Sequence, residues 1–479
     1  MRTPGAVVTF TAQGVVFTFH RCYIVIVETG VVPPILLDNI ASNYINFLLA
    51  CQVNSGNFFG GQYLVPPLFC IFRSMPMDFL IIIVLLLELA LAAALLRREK
   101  LIQKPLQALL PLLALMLITV IKASLLDFES NDYLDFLAPW TQFFRDHGFA
   151  GLGSSVGNYN PPYMYLLWLF SLFPVNELYL IKLTSMLFDI LLAWAGMKLL
   201  SLCTENRVRL LICFFALLLF PTFIINGAMW GQCDSIYTFF GIFSIYLALT
   251  DRPWAAMCTI AASLAFKLQA VFIMPAFVVL FIAGKVKLKH FAAFPIAYTV
   301  YMLPAVIAGR PFTEVMTLYV SQAGTVGDAL NYNAPSLTSM LSGVSDPARL
   351  SQLLILAAVL FMLAVFGYAF IAGKKLDAGL VIGLTALLVL AIPYLLPHMH
   401  DRYFYAAGVM LVILAMADPA YISAPILAEL ASLHCYRAYF SGHYIVHPKY
   451  GGMIMLLVLI MTIMFVLTYK RKEFKLLDN

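Results

Sequence analysis

Residues 79–96 read FLIIIVLLLELALAAALL, eighteen almost wholly apolar positions, and Arg97 and Arg98 follow directly. A helix needs about 20 such residues, at 1.5 Å rise each, to cross the hydrocarbon core of a bilayer. Comparable stretches recur at 106–125, 178–202, 208–226, 235–250, 254–266, 268–283, 291–308, 351–373, 378–395, 403–417, 420–442 and 452–469. The pattern predicts an all-α polytopic membrane protein with about thirteen transmembrane helices. Composition points the same way, because the 479 residues are 62% hydrophobic and 11% charged. Soluble domains run at about 45–50% apolar and about 25% charged, so this chain could not cover a water-facing surface. The shortest stretches predict tilted or broken elements around a cavity.

The basic residues report orientation. With a crossing at each stretch, Arg97, Arg98, Lys100, Lys104, Arg207, Arg209, Arg252, Lys285, Lys287, Lys289, Lys374, Lys375, Lys470, Arg471, Lys472 and Lys475 fall on one side. The other side holds Arg145, Arg310, Arg349, Arg402 and Lys449. Positive residues stay cytoplasmic, which predicts a cytoplasmic C-terminus. Because these cations anchor topology, the net charge of +5 does not indicate a nucleic-acid partner.

The acids Asp127, Glu129, Asp132, Asp135, Asp146, Glu177, Asp234, Glu314, Asp328, Asp346 and Asp401 fall on the outer side with the long loops 126–177 and 309–350. A functional site is therefore expected on the outer face. Within the first loop, 133–147 (YLDFLAPWTQFFRDH) sets Leu134, Leu137, Trp140, Phe143 and Phe144 at helical spacing. That spacing predicts an amphipathic interfacial helix. The run 163–174 is too short to span and predicts a second membrane-surface or re-entrant helix. Residues 1–75 show no clear period and are expected to be an extension, poorly ordered or upstream of the true start, ahead of a membrane domain at 76–479. The eight cysteines are scattered without metal-ligand spacing and read as small hydrophobes.

Four segments combine polar groups with aromatics. In Ser130-Asn131-Asp132-Tyr133-Leu134-Asp135-Phe136, a carboxylate at the membrane surface suits a general base, although a solvated acidic loop would look alike. Asn158-Tyr159-Asn160-Pro161-Pro162-Tyr163 reads as an aimed turn or simply as a helix start with proline in its first turn. Trp230-Gly231-Gln232-Cys233-Asp234-Ser235 offers an indole face, an amide and a carboxylate for sugar hydroxyls, while Asp234 could equally cap a helix. In Pro397-His398-Met399-His400-Asp401-Arg402-Tyr403, two histidines and an acid supply too few local ligands for a metal. Arg402 there fits a lipid phosphate through its planar fork. Lys267, between two short apolar stretches, is costly unless it faces a cavity or a partner.

Taken in order across about 79–469, these motifs resemble the GT-C superfamily of polytopic glycosyltransferases. They look most like bacterial proteins related to the second mannosyltransferase of GPI assembly and to the glucosyltransferases of lipid-linked oligosaccharide synthesis. The motifs are Asp132, Tyr159-Asn160-Pro161-Pro162, Trp230 to Ser235, Phe266-Lys267-Leu268-Gln269 and His398 to Tyr403. Two departures stand out. The turn carries Asn158 where many relatives have Asp, and His-Met-His-Asp-Arg replaces the His-x-His-Glu-Lys of the glucosyltransferases.

The resemblance implies a hexosyltransferase that takes a sugar of mannose or glucose type from a polyprenyl-phosphate donor and passes it to a glycan or glycolipid acceptor. It implies an inverting reaction, membrane lipid as partner, no cofactor and no metal, on the outer face of a bacterial cytoplasmic membrane. Asp132 is the expected base, with Asp135 its competitor. Arg402, Lys267 and His400 are expected at the donor phosphate. Asp135, Tyr159, Asn160, Trp230, Gln232, Asp234, Gln269, His398 and Asp401 are expected around the substrates. A flippase of lipid-linked sugars, or a glycan ligase or polymerase, is the alternative reading.

Overall fold

The computed structural model describes residues 8–12, 15–20, 23–28, 77–323, 329–341 and 344–469. The chain divides into two compact units, Met1–Leu80 and Ile81–Asn479. In the first, strands Val8–Ala12, Val15–His20 and Tyr23–Glu28 pair antiparallel in sequence order. Runs such as VVFTFH and YIVIVE are dense in β-branched and aromatic residues, which favour a pleated strand. The all-helical expectation therefore does not extend to this part. The rest of the expected 1–75 extension lies outside the described residues.

The second unit is a helical bundle with the length and apolarity of a membrane protein. Seven of its described helices are long and apolar enough to cross a bilayer: Phe79–Arg98, Pro105–Ala123, Glu177–Leu200, Leu288–Ile307, Pro347–Ala372, Ala378–Leu395 and Lys449–Thr468. A bent pair makes an eighth. Of the other expected crossings, Asp234–Leu249, Pro253–Phe266 and Tyr405–Ala417 are shorter apolar helices, and Ser423–Ser441 is 19 residues long but too polar to count as a span. Burial sorts centre from rim. Ala378–Leu395 hides 89% of its apolar window inside the protein, whereas Pro347–Ala372 hides 22% and turns the rest outward, where only lipid suits it.

The bent pair has a clear cause. Arg207–Leu219 and Pro221–Met229 meet at 52°, at a proline that can neither donate a backbone bond nor tolerate the preceding turn. Phe220 before it is extended (φ −59°, ψ 129°). Glu429 satisfies the opened helix start, accepting from Thr222 N at 2.7 Å and Thr222 Oγ1 at 2.6 Å. The break ends in a π-turn, Ile225–Met229, which delivers residues 230–234 to one end of the bundle.

The segment 133–147 does not lie alone on a membrane surface. It forms a π-turn, Tyr133–Leu137, and a helix, Ala138–His147. Its apolar stripe (Tyr133, Leu137, Phe144) packs into a core with Met164, Leu167, Phe170, Leu178 and Ile181. The neighbouring run forms the helix Pro161–Ser171, eleven residues long, which spans only about 16 Å at 1.5 Å per residue. Ser155 and Arg310 meet at 3.1 Å, so the loops 126–177 and 309–350 gather at the same end.

Candidate functional site

Asp132 is carried to that end by two anchors. Lys182, wholly buried, donates to the carbonyls of Leu125 (2.9 Å), Leu126 (2.8 Å) and Phe128 (2.6 Å). One ammonium thereby spends its three donors on backbone that has just left the Pro105–Ala123 helix. Further along, Ser130 Oγ donates to the Trp230 carbonyl (3.0 Å) and accepts from Tyr133 N (3.2 Å). The Asp132 side chain is thus held beside the break that presents Trp230 and Gln232.

Three donors hold its carboxylate. Trp230 Nε1 (3.0 Å) and Gln232 Nε2 (2.6 Å) reach Oδ2, and the Tyr439 hydroxyl reaches Oδ1 at 2.9 Å. A carboxylate offers about four lone-pair positions, so Oδ2 is filled and Oδ1 retains one. Arg402 Nη1 lies 3.8 Å from Oδ2, and the guanidinium stacks 5.2 Å from the Trp230 ring centre. Its Nε is buried and makes no hydrogen bond to the described residues. Asp132, Arg402, Gln232, Tyr159, Trp140 and Phe136 line a cleft of about 100 Å³ together with Leu137, Asn158, Tyr163 and Gly231. Burial pushes the Tyr159 phenol well above its ordinary pKa, so it stays neutral there.

A second set of contacts sits behind. Lys267 Nζ reaches Gln232 Oε1 at 3.4 Å, turning the amide NH₂ toward Asp132, and pairs with Asp234 Oδ1 at 2.6 Å. Asn226 Nδ2 donates to the other Asp234 oxygen at 2.8 Å. Asp401 accepts from the Arg402 backbone N–H (2.8 Å) and from Asn333 Nδ2 (3.0 Å). Burial pushes Asp401 up to about 6, against the pull of Arg402. Burial, helped by Arg402, pushes His400 down to about 4, so the ring is neutral near pH 7.

The structure corrects several expected roles. Trp230 is fully buried, enclosed by Tyr439 (4.3 Å between ring centres), Phe440 (5.1 Å) and Tyr436 (5.4 Å). It offers no ring face to a sugar and instead orients Asp132 through its N–H. Asp234 neither caps the helix nor faces the cleft, because Lys267 and Asn226 occupy it. Asp135 is exposed, outside the cleft lining, since the π-turn places it on the far side from Asp132. Asn160 is buried and donates to the Tyr298 hydroxyl at 2.6 Å. His398 has φ +63°, and its ring meets Ala329 O (2.7 Å) and Ser351 Oγ (3.1 Å). His400 stacks on Tyr332 at 4.8 Å, so the two histidines diverge. Gln269 is not in the cleft lining, and its Oε1 is buried with no hydrogen-bond partner among the described residues. Among the described residues no group of three His, Cys, Asp or Glu side chains could hold a metal.

Sequence reasoning missed Tyr439, which lies 307 positions from Asp132, and gave Lys182 no role. No local spacing signals either. Trp140 was legible as helical and aromatic, but not as a wall of the cleft. Set against described protein families and curated proteins, the chain matches none of them.

Proposed function

We propose that the chain is a membrane glycosyltransferase that moves a hexose from a polyprenyl-phosphate donor to an acceptor hydroxyl, at the end of the bundle that faces the outer side of the membrane. The observation that carries this reading is the juxtaposition, in one cleft, of an oriented carboxylate with one open lone pair and a guanidinium with an uncommitted donor. The acceptor hydroxyl docks on Asp132 Oδ1. Its oxygen bonds to the anomeric carbon as the bond to the phosphate oxygen breaks, the bonding pair leaves with the phosphate, and the proton passes to Asp132. Arg402 meets the charge that gathers on the departing phosphate. Attack opposite the leaving group inverts the anomeric centre. Lys267 acts from behind, by fixing Gln232.

The test is turnover of a short polyprenyl-phosphate hexose by purified protein and by Asp132→Asn, Asp135→Asn and Asp127→Asn. A lost general base costs about 10²–10⁴ in rate. Asp135 is exposed, and Asp127 accepts from the Tyr179 hydroxyl at 2.8 Å outside the cleft lining, so those variants should stay within a few-fold of wild type. Near-normal transfer by Asp132→Asn would sink the mechanism.

A further inference from the structure

Burial of Trp230 removes the aromatic face that the sequence offered for a sugar, yet the cleft has another. Phe136, Trp140 and Tyr159 form one wall, with ring centres 5.7 Å apart for Phe136–Trp140 and 6.1 Å for Trp140–Tyr159. Phe136 is 47% exposed and Trp140 is half-buried. Gly157, at φ +71°, lies so close behind Trp140 that a Cβ there would sit 3.0 Å from two ring carbons. Backbone thus sets the indole's position with no side chain between.

We propose that this wall binds a pyranose ring of the acceptor, so that the protein extends a saccharide. The proposal rests on the transfer reading and deepens it by naming the acceptor class. A pyranose has apolar C–H faces that lie flat on aromatic rings, and a rim of hydroxyls that need partners. The same cleft supplies both, since Gln232, Asn158, Asp132 and Arg402 line it beside the rings. A prenyl chain would cover the open lone pair of Asp132 Oδ1 and the charged Arg402 guanidinium without pairing them, which is costly. The ring belongs to the acceptor because Phe136 and Trp140 follow Asp132 in one continuous turn and helix. A saccharide seated on them brings a hydroxyl to the open lone pair of Oδ1, leaving the Arg402 side for the donor phosphate.

The experiment uses full-length protein in nanodiscs carrying 5-fluorotryptophan at its five tryptophans, with Trp140→Phe assigning the Trp140 resonance. Methyl gluco-, manno- and galactopyranoside are titrated in turn, and decaprenyl monophosphate separately. At least one pyranoside should shift the Trp140 signal saturably. Trp140→Ala should weaken its binding, read by saturation transfer to the sugar, at least tenfold, and Trp140→Phe by a few-fold only. If Trp140→Ala does not fold, the resonance shift and Trp140→Phe decide. A Trp140 signal that no pyranoside moves, or that only the prenyl phosphate moves, overturns the inference. Binding needs no turnover, so pyranoside binding without transfer would refute the enzyme reading alone, and transfer without Trp140-dependent binding would refute the subsite alone.

Discussion

Asp401 and His400 are adjacent, and their titrations oppose each other. Asp401 is raised to about 6 from 3.8, so the folded chain binds more protons than the unfolded chain between those values, and its contribution to stability falls as pH rises through that window. His400 is lowered to about 4 from 6.5, so its contribution grows with pH from about 4 and is lost on acidification. Each shift is worth about 3 kcal/mol at 1.36 kcal/mol per unit. In the wild type the two nearly cancel. Asp401→Asn should unmask His400, so that melting temperature drops more steeply than in wild type as pH falls from 6.5 to 4. Parallel profiles for the two proteins would show that this pair does not set the acid response. Acid sensitivity here belongs to neighbours in the chain, not to either group alone.

The stretch linking Pro105–Ala123 to Asp132 is held locally by turn bonds such as Leu126 N to Ala123 O (3.2 Å) and Phe128 N to Leu125 O (3.3 Å), and Lys182 on the Glu177–Leu200 helix braces it from outside. Lys182→Met withdraws the ammonium from three carbonyls; Leu125 O keeps Phe128 N, whereas Leu126 O and Phe128 O lose this donor, and stranding a buried polar group costs about 1–3 kcal/mol each. The variant should lose about 2 kcal/mol or more of stability, and backbone amides of 125–132 should exchange faster while those of Ala378–Leu395 stay protected. Unchanged exchange at 125–132 would mean that Ser130 and the turn bonds secure the loop. The same helix carries Asp189, which pairs with Lys122 at 2.5 Å and accepts from Tyr405 at 3.3 Å. Each buried ion pair lets a charge sit among apolar helices at acceptable cost only while both partners stay. The Pro221 break is the companion case: a helix end opened by proline is tolerated because Glu429 closes it.

For the bundle as a whole, the side chains lining the cleft come from Asp132 to Arg402, and the chain separates at Leu80 into two units. A chain shortened to begin at Met77 should still insert into membranes and melt within a few degrees of the full length. Failure to integrate would make the first unit part of the membrane fold.

Bundle character was legible because lipid admits only runs that satisfy their own backbone, and such runs are local facts of composition. So were Asp132, Gln232 and Arg402 as candidates, because polar residues among apolar helices are rare and expensive. The number of full crossings was not legible: Tyr405–Ala417 and Asp234–Leu249 are apolar because they are buried in protein, and composition cannot tell burial in protein from contact with lipid. Nor could local sequence assign roles within a motif. Trp230 reads as a sugar platform until Tyr439, from the far end of the chain, covers its face and shares its carboxylate. Asp234 reads as a ligand until Lys267 claims it. Residue chemistry is set along the chain, but which partner each polar group meets is set by packing across hundreds of positions, where a buried charge must find its complement.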